Sequence, residues 1–93
     1  MSGLNSIDPV ELTKSLIACP SVTPVDAGVL DLLQKQLEEI GFECNRYKFS
    51  DKDTPDVDNL FAKYGKGSPH LCFGGHTDVV PVGDLKSWSS DPF

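Results

Sequence analysis

The chain has 93 residues, of which 39% are hydrophobic and 24% are charged. This composition is ordinary for a soluble globular chain, and it favours neither a disordered chain nor a fibre nor a membrane protein. Eight basic against fourteen acidic residues give a net charge of −6, which argues against nucleic acid or an anionic membrane surface as a partner. No apolar run approaches the roughly 18 residues of a transmembrane helix.

The opening residues and the cysteines favour a cytoplasmic protein. Residues 1–8 have neither the basic nor the apolar region of a secretory signal, so none is expected. The three cysteines, Cys19, Cys44 and Cys72, have irregular spacing that suits neither a disulfide framework nor a zinc finger. We interpret them as small buried hydrophobic side chains.

Two helices are predicted in the first half of the chain. Asp8 can cap the first helix, Pro9 suits its first position, and Pro20 ends it. Thr23 and Pro24 repeat the pattern of a cap followed by proline and predict a second helical start. Apolar residues then recur at helical spacing, at Val29, Leu30, Leu33, Leu37 and Ile40. Gly41 is a natural left-handed stop for this helix.

Three strands are predicted next, over residues 42–49, 59–64 and 70–75. The polar residues 50–58 predict a solvated loop, and their aspartates lack the glycine and the final glutamate of a calcium loop. The apolar residues 71–73 are typical of a strand covered on both faces. Two helices and about three strands leave a sheet edge exposed, so the sequence predicts an α/β fold whose sheet is incomplete.

His76 and Asp78 are the candidate site residues. Residues i and i+2 of an extended segment share a face, and ligands of open α/β sheets collect beyond the carboxyl ends of strands. An imidazole can bind zinc through one nitrogen while a carboxylate, directly or through a neighbouring group, accepts the hydrogen of the other. Cys72 is predicted to be core and His70 to be exposed. No serine or cysteine nucleophile motif is present.

A wider string carries a family resemblance. Residues 73–81 read Phe-Gly-Gly-His-Thr-Asp-Val-Val-Pro, and Trp88 follows. This string resembles the first metal-binding segment of the co-catalytic zinc aminoacylase and carboxypeptidase family. Further similar strings lie at residues 19–24, 59–62 and 91–93. Within the family, residues 67–73 and the Gly-Asp at 83 and 84 are most similar to the desuccinylase branch.

The resemblance implies that residues 1–93 are the amino-terminal portion of a zinc-aminopeptidase-like catalytic domain. It implies a cytoplasmic homodimer that uses two divalent ions, zinc or cobalt, to remove succinate from N-succinyl-LL-2,6-diaminopimelate in lysine and diaminopimelate biosynthesis. His76 matches the first zinc ligand of the family, and Asp78 matches an active-site aspartate that supports this histidine. The remaining ligands, the glutamate base, the substrate contacts and a dimerisation domain would lie beyond Phe93, so the fragment alone is expected to be inactive.

Two alternatives stand beside this hypothesis. Ala18 and the Asp-Pro-Phe string at 91–93 depart from the common desuccinylase pattern, which keeps acetylornithine deacetylase or another aminoacylase of the family open. The alternative of another class is a non-catalytic binding or scaffold fragment. In such a fragment, His76 and Asp78 would merely pair with each other at a strand end.

Overall fold

The computed structural model describes residues 7–93, so most of the opening segment used to judge a secretory signal lies outside the described residues. Its elements are α1 (Pro9–Ile17), α2 (Val29–Glu39), β1 (Glu43–Asp51), β2 (Thr54–Lys63) and a short 3-10 helix (Leu85–Ser87). The strands β1 and β2 form a two-stranded antiparallel sheet. Two helices and this hairpin make an incomplete α/β fold, which confirms the predicted fold class. Across residues 7–93, no helix is long and apolar enough to cross a membrane.

The start of α1 follows the local sequence. The Asp8 carboxylate accepts hydrogen bonds from the N–H groups of Val10 at 2.9 Å and Glu11 at 3.3 Å. These are two of the N–H groups that a helix start leaves without a partner. Pro9 occupies the start of the helix, where a missing N–H has no cost. The predicted cap is therefore confirmed.

The start of α2 differs from the prediction, whereas its end agrees. The helix begins after Gly28, which has a φ of 82° and gives no side-chain cap. The cap predicted at Thr23 is wrong, because the Thr23 hydroxyl donates to the distant carboxylate of Asp78 instead. At the other end, Gly41 has the predicted left-handed φ, at 102°.

Residues 50–58, predicted as a loop, belong mostly to the hairpin. The turn consists of Lys52 and Asp53, and Asp53 has a φ of 65°, a conformation that aspartate tolerates better than most residues. The strand register shifts by one residue beside the turn, where a bulge accommodates Pro55. Proline and aspartate are poor strand formers. A bulge and an exposed hairpin end tolerate them, which is why the loop prediction is wrong.

The hydrophobic core is small and lies at the start of α2. Among the described residues, the buried hydrophobic side chains are Val29 and Leu30, which are 1% and 6% exposed. Ser21 is buried beside them, at 2% exposed. One face of the hairpin lies toward α2 and is half-buried, while Phe49 and Phe61 on the opposite face are exposed. Helix α2 therefore holds the hairpin on one side only.

The predicted third strand, over residues 70–75, does not form in the structure. Leu71 and Phe73 are 82% and 86% exposed, and Cys72 is exposed as well, whereas Cys19 and Cys44 are half-buried. The expectation that Cys72 is core is therefore wrong. A strand covered on both faces needs a paired strand beside it and a packed layer over each face. The described part of the chain pairs no strand with this segment.

Candidate functional site

The segment that carries the site is held beside the loop between the two helices. Val22 and Val79 form an isolated parallel bridge. The Val79 N–H donates to the Ser21 carbonyl at 3.0 Å, and the Thr23 N–H donates to the Val79 carbonyl at 3.1 Å. The buried Ser21 hydroxyl donates to the Thr77 carbonyl at 2.8 Å. Three hydrogen bonds thus fix residues 77–79 against residues 21–23.

His76 and Asp78 contact each other directly. The Nδ1 atom of His76 lies 2.9 Å from Oδ1 of Asp78 and 3.0 Å from the backbone oxygen of the same residue. Both of these oxygens are acceptors, so Nδ1 carries the hydrogen, and Nε2 of the neutral ring keeps its lone pair. The His76 side chain is 85% exposed. The structure therefore brings the two predicted residues together and leaves Nε2 available to a ligand.

A third side chain, Thr23, completes the arrangement. Its Oγ1 donates to the other carboxylate oxygen of Asp78, Oδ2, at 2.5 Å. The hydrogen bond from Thr23, followed by that from His76, holds the pKa of Asp78 below its ordinary value of 3.8. Asp78 is therefore a carboxylate at neutral pH, with an acceptor oxygen for each of its two partners.

Sequence reasoning did not single out Thr23 as a site residue. Its partner lies 55 residues away in the chain, and no periodicity connects positions that far apart. The one available signal was the family-like string at residues 19–24, which contains Thr23 without indicating its contact. His70, in contrast, is exposed as predicted.

The three side chains lie at the edge of an open cavity. Its volume is about 630 Å³, and it separates α2 and β2 from residues 73–78. A second cavity of about 460 Å³, with a mostly apolar lining that includes Trp88, also borders the site segment. His76 lines both cavities. The exposed His76 side chain therefore borders space that a small molecule or ion can enter.

The donor set fits one position of a metal site. An exposed imidazole nitrogen with a carboxylate behind the ring is a common arrangement for a zinc ligand. Zinc needs about three protein ligands even in an open catalytic geometry. No group of three or more histidine, cysteine, aspartate and glutamate side chains gathers in a metal-binding arrangement within residues 7–93. His76 and Asp78 therefore fit a part of a metal centre and not a whole one.

Comparison with known proteins identifies relatives of the chain. No family model matches it. It is 57% identical over 92 residues to the succinyl-diaminopimelate desuccinylase of Parvibaculum lavamentivorans, an alignment that covers 99% of this chain and 23% of the relative. The proteins of the same name from Caulobacter vibrioides and Rhodospirillum centenum are 57% and 55% identical over 88 and 86 residues, or 95% and 92% of this chain and 22% of each relative.

These alignments leave more than three quarters of each relative without a counterpart in the chain. Identity above one half over almost every position is nevertheless far beyond what composition alone produces. The chain is homologous, over nearly its whole length, to a part of proteins named succinyl-diaminopimelate desuccinylase.

Proposed function

We propose that the chain is the amino-terminal portion of the catalytic domain of a metal-dependent amide hydrolase. Its substrate is N-succinyl-LL-2,6-diaminopimelate, from which it removes succinate to give LL-2,6-diaminopimelate in lysine and diaminopimelate biosynthesis. The names of relatives that are 49% to 57% identical support this substrate. The observation that carries the chemistry is the contact of His76 Nδ1 with Asp78, which leaves Nε2 free and exposed.

The residues of this chain have distinct parts in the proposed reaction. When bound, two divalent ions, zinc or cobalt, would supply Lewis-acid polarisation of the amide carbonyl and a more acidic water. His76 would hold one ion through Nε2. Asp78 keeps the hydrogen on Nδ1 and fixes the plane of the ring, which also raises the basicity of the ligand nitrogen. The other ligands, the general base and the substrate contacts would lie in the part of the relatives that this chain does not cover.

The proposal extends to the setting of the enzyme. We infer a cytoplasmic homodimer, with the dimerisation domain in the part of the relatives that this chain does not cover. Its partner is a small N-acyl amino acid, and the acidic composition of the chain offers no basic patch for nucleic acid. No relative named above favours acetylornithine deacetylase or a scaffold role. Light scattering of this chain continued to the length of its relatives would test the dimer.

The decisive experiment uses the extended protein, by which we mean this chain continued in its open reading frame to the length of its relatives. After loading with zinc or cobalt, it is assayed for succinate release from N-succinyl-LL-2,6-diaminopimelate and for acetate release from acetylornithine. We expect succinate release to dominate. Dominant acetate release would show that the substrate is wrong, and hydrolysis of neither compound would contradict both substrate assignments.

A histidine variant tests the metal assignment. His76→Ala in the extended protein should lose one equivalent of bound metal and most of the activity, because no other described side chain can replace its Nε2. Metal content after dialysis and succinate release are the two measurements. His70→Ala is the matched control, since His70 is also exposed but lies outside the Thr23, His76 and Asp78 arrangement. A zinc content equal to that of the wild type in His76→Ala would show that the ligand assignment is wrong.

A further inference from the structure

We infer that Thr23 is a positioning residue whose hydroxyl orients the Asp78 carboxylate and, through it, the His76 imidazole. This inference rests on the proposed function for the identity of the metal bound by His76. The relay itself is a chain of two hydrogen bonds, from Thr23 Oγ1 to Asp78 Oδ2 and from His76 Nδ1 to Asp78 Oδ1.

The carboxylate needs an anchor of this kind. The Asp78 side chain is 49% exposed, so packing alone leaves room for other rotamers and for water. With one oxygen on Thr23 and the other on His76, both its torsion and the plane of its carboxylate are fixed. A carboxylate that rotated away would leave the Nδ1 hydrogen with the uncharged backbone oxygen of Asp78 alone. That weaker acceptor favours this tautomer less, and the neutral ring could then place its hydrogen on Nε2, the ligand atom.

Thr23 is itself held in place by its backbone. Its N–H donates to the Val79 carbonyl at 3.1 Å, and its branched side chain has a restricted first torsion. The Val79 carbonyl is also 3.4 Å from Oγ1. The single hydroxyl hydrogen favours the Asp78 carboxylate, because that acceptor is charged and lies closer, at 2.5 Å.

The hydroxyl of Thr23 is not required to hold the two segments together. Backbone bonds and the buried Ser21 hydroxyl already join them, and the Thr23 side chain is exposed. Replacing the hydroxyl should therefore leave the bridge between the segments intact. The expected effect falls on the direction of Asp78 and on the affinity of His76 for metal.

The test compares Thr23→Val, which keeps the branched shape without the donor, with Thr23→Ser, which keeps the hydroxyl. Both are made in the extended protein, and the zinc Kd is measured by competition with a chelating dye. We expect Thr23→Val to raise the Kd about tenfold, the low end of the range for groups behind a metal ligand, and to change the visible absorption of the cobalt-loaded protein. Thr23→Ser should restore both properties. Thr13→Val is the matched control, because the Thr13 hydroxyl bonds only to the Pro9 carbonyl within α1.

The outcomes separate this inference from the proposed function. If Thr23→Val binds zinc as the wild type does while His76→Ala loses it, the positioning role is overturned and the proposed function stands. If His76→Ala also binds zinc as the wild type does, both fail. A Thr23→Ser protein of wild-type Tm that does not recover the affinity overturns the positioning role as well. Should Thr23→Val not fold, Thr23→Ala against Thr23→Ser makes the same comparison.

Discussion

At the scale of single residues, Asp78 determines which nitrogen of His76 is available. Its ionised oxygens accept from Thr23 and from His76 Nδ1. An asparagine has the same shape but only one acceptor oxygen, and it carries an amide that donates. It can accept from only one of the two partners, and because it is uncharged it accepts more weakly than the carboxylate does.

Asp78→Asn in the extended protein should accordingly weaken zinc binding by about 10- to 100-fold, the range for carboxylates behind metal-binding histidines. The zinc Kd from dye competition measures the effect. Asp53→Asn is the control, since it removes the same charge in the hairpin turn, where asparagine also tolerates the left-handed φ of 65°. Equal zinc affinity in Asp78→Asn and in the wild type would contradict the supporting role of the carboxylate.

The residue scale also shows how far the sequence can predict the site. The pairing of His76 with Asp78 was predictable because the two positions are two residues apart and a short extended segment brings them to the same side. The part played by Thr23 was not predictable, since it depends on two loop segments meeting across most of the chain. Neighbouring residues determine the local geometry of the chain. They do not determine which distant group a single hydroxyl contacts in the folded protein.

At the scale of elements, Arg46 joins the hairpin to α2. Its guanidinium donates to the Asp31 carboxylate at 2.6 Å and to the Gln34 amide oxygen at 3.1 Å, both in α2. It also makes two hydrogen bonds to the Asp58 carboxylate of β2, at 2.5 Å and 3.4 Å. The hydrogen bond from Arg46 holds the pKa of Asp58 below its ordinary value of 3.8. One side chain of β1 therefore binds two other elements.

This pKa has a consequence for acid stability. A carboxyl group with a lowered pKa in the folded state stabilises that state above its unfolded pKa, and the contribution is lost as the pH falls through the folded value. Asp58→Asn should therefore lower the free energy of unfolding of the extended protein at neutral pH. The gap to the wild type should stay constant down to about pH 4 and narrow below it. Urea unfolding at a series of pH values measures both.

Asp56→Asn is the matched control for this prediction. Asp56 lies in the same strand and makes no ion pair with the described residues. Its loss should leave the unfolding free energy nearly unchanged at every pH. A gap between Asp58→Asn and the wild type that stayed the same from pH 7 to well below pH 4 would contradict the ion-pair explanation.

Elements differ in how much of them the sequence specifies. The first helix was predictable from Asp8 and Pro9, because a cap and a fixed φ act within one turn. Whether residues 70–75 form a strand could not be predicted from local sequence in the same way. A strand forms only when it pairs with other strands. An apolar run indicates that the segment needs partners, but it does not indicate which segments these are. The aspartate-rich residues 50–58 were misassigned for a related reason, since a bulge and a tight turn depend on the pairing of both strands.

At the scale of the whole molecule, the described chain is open. Its radius of gyration is 15.8 Å, whereas a compact domain of this length has about 12 Å. Large apolar side chains remain exposed on the hairpin, on residues 70–75 and after the site. Among them are Phe49, Phe61, Leu71, Phe73, Val80 and Leu85. A core of this size cannot offset the conformational entropy of 93 residues by a wide margin.

Residues 1–93 alone should therefore be catalytically inactive and should bind a hydrophobic dye such as ANS. The inactivity follows from the incomplete donor set of the described residues, and the dye binding follows from the exposed apolar faces. Succinate release in the presence of zinc or cobalt, and dye fluorescence, are the measurements. The extended protein serves as the control, with activity and weaker dye fluorescence expected. Metal-dependent turnover by the 93-residue chain would contradict the assignment of the missing ligands to the uncovered part of the relatives.

The bridge between Val22 and Val79 has a consequence for how this region tolerates change. The loop that it closes contains the whole of α2 and the hairpin. The entropic contribution to the free energy of closing a flexible loop rises only by about 0.6 kcal/mol for each doubling of the loop length. A short insertion at the Lys52 and Asp53 turn, or in the irregular segment that follows β2 and contains Gly65 and Gly67, lengthens only slightly a loop that is already long. We therefore expect homologues to differ in length at these two places. The Thr23 hydroxyl, the Asp78 carboxylate and the His76 imidazole would keep their hydrogen bonds to one another.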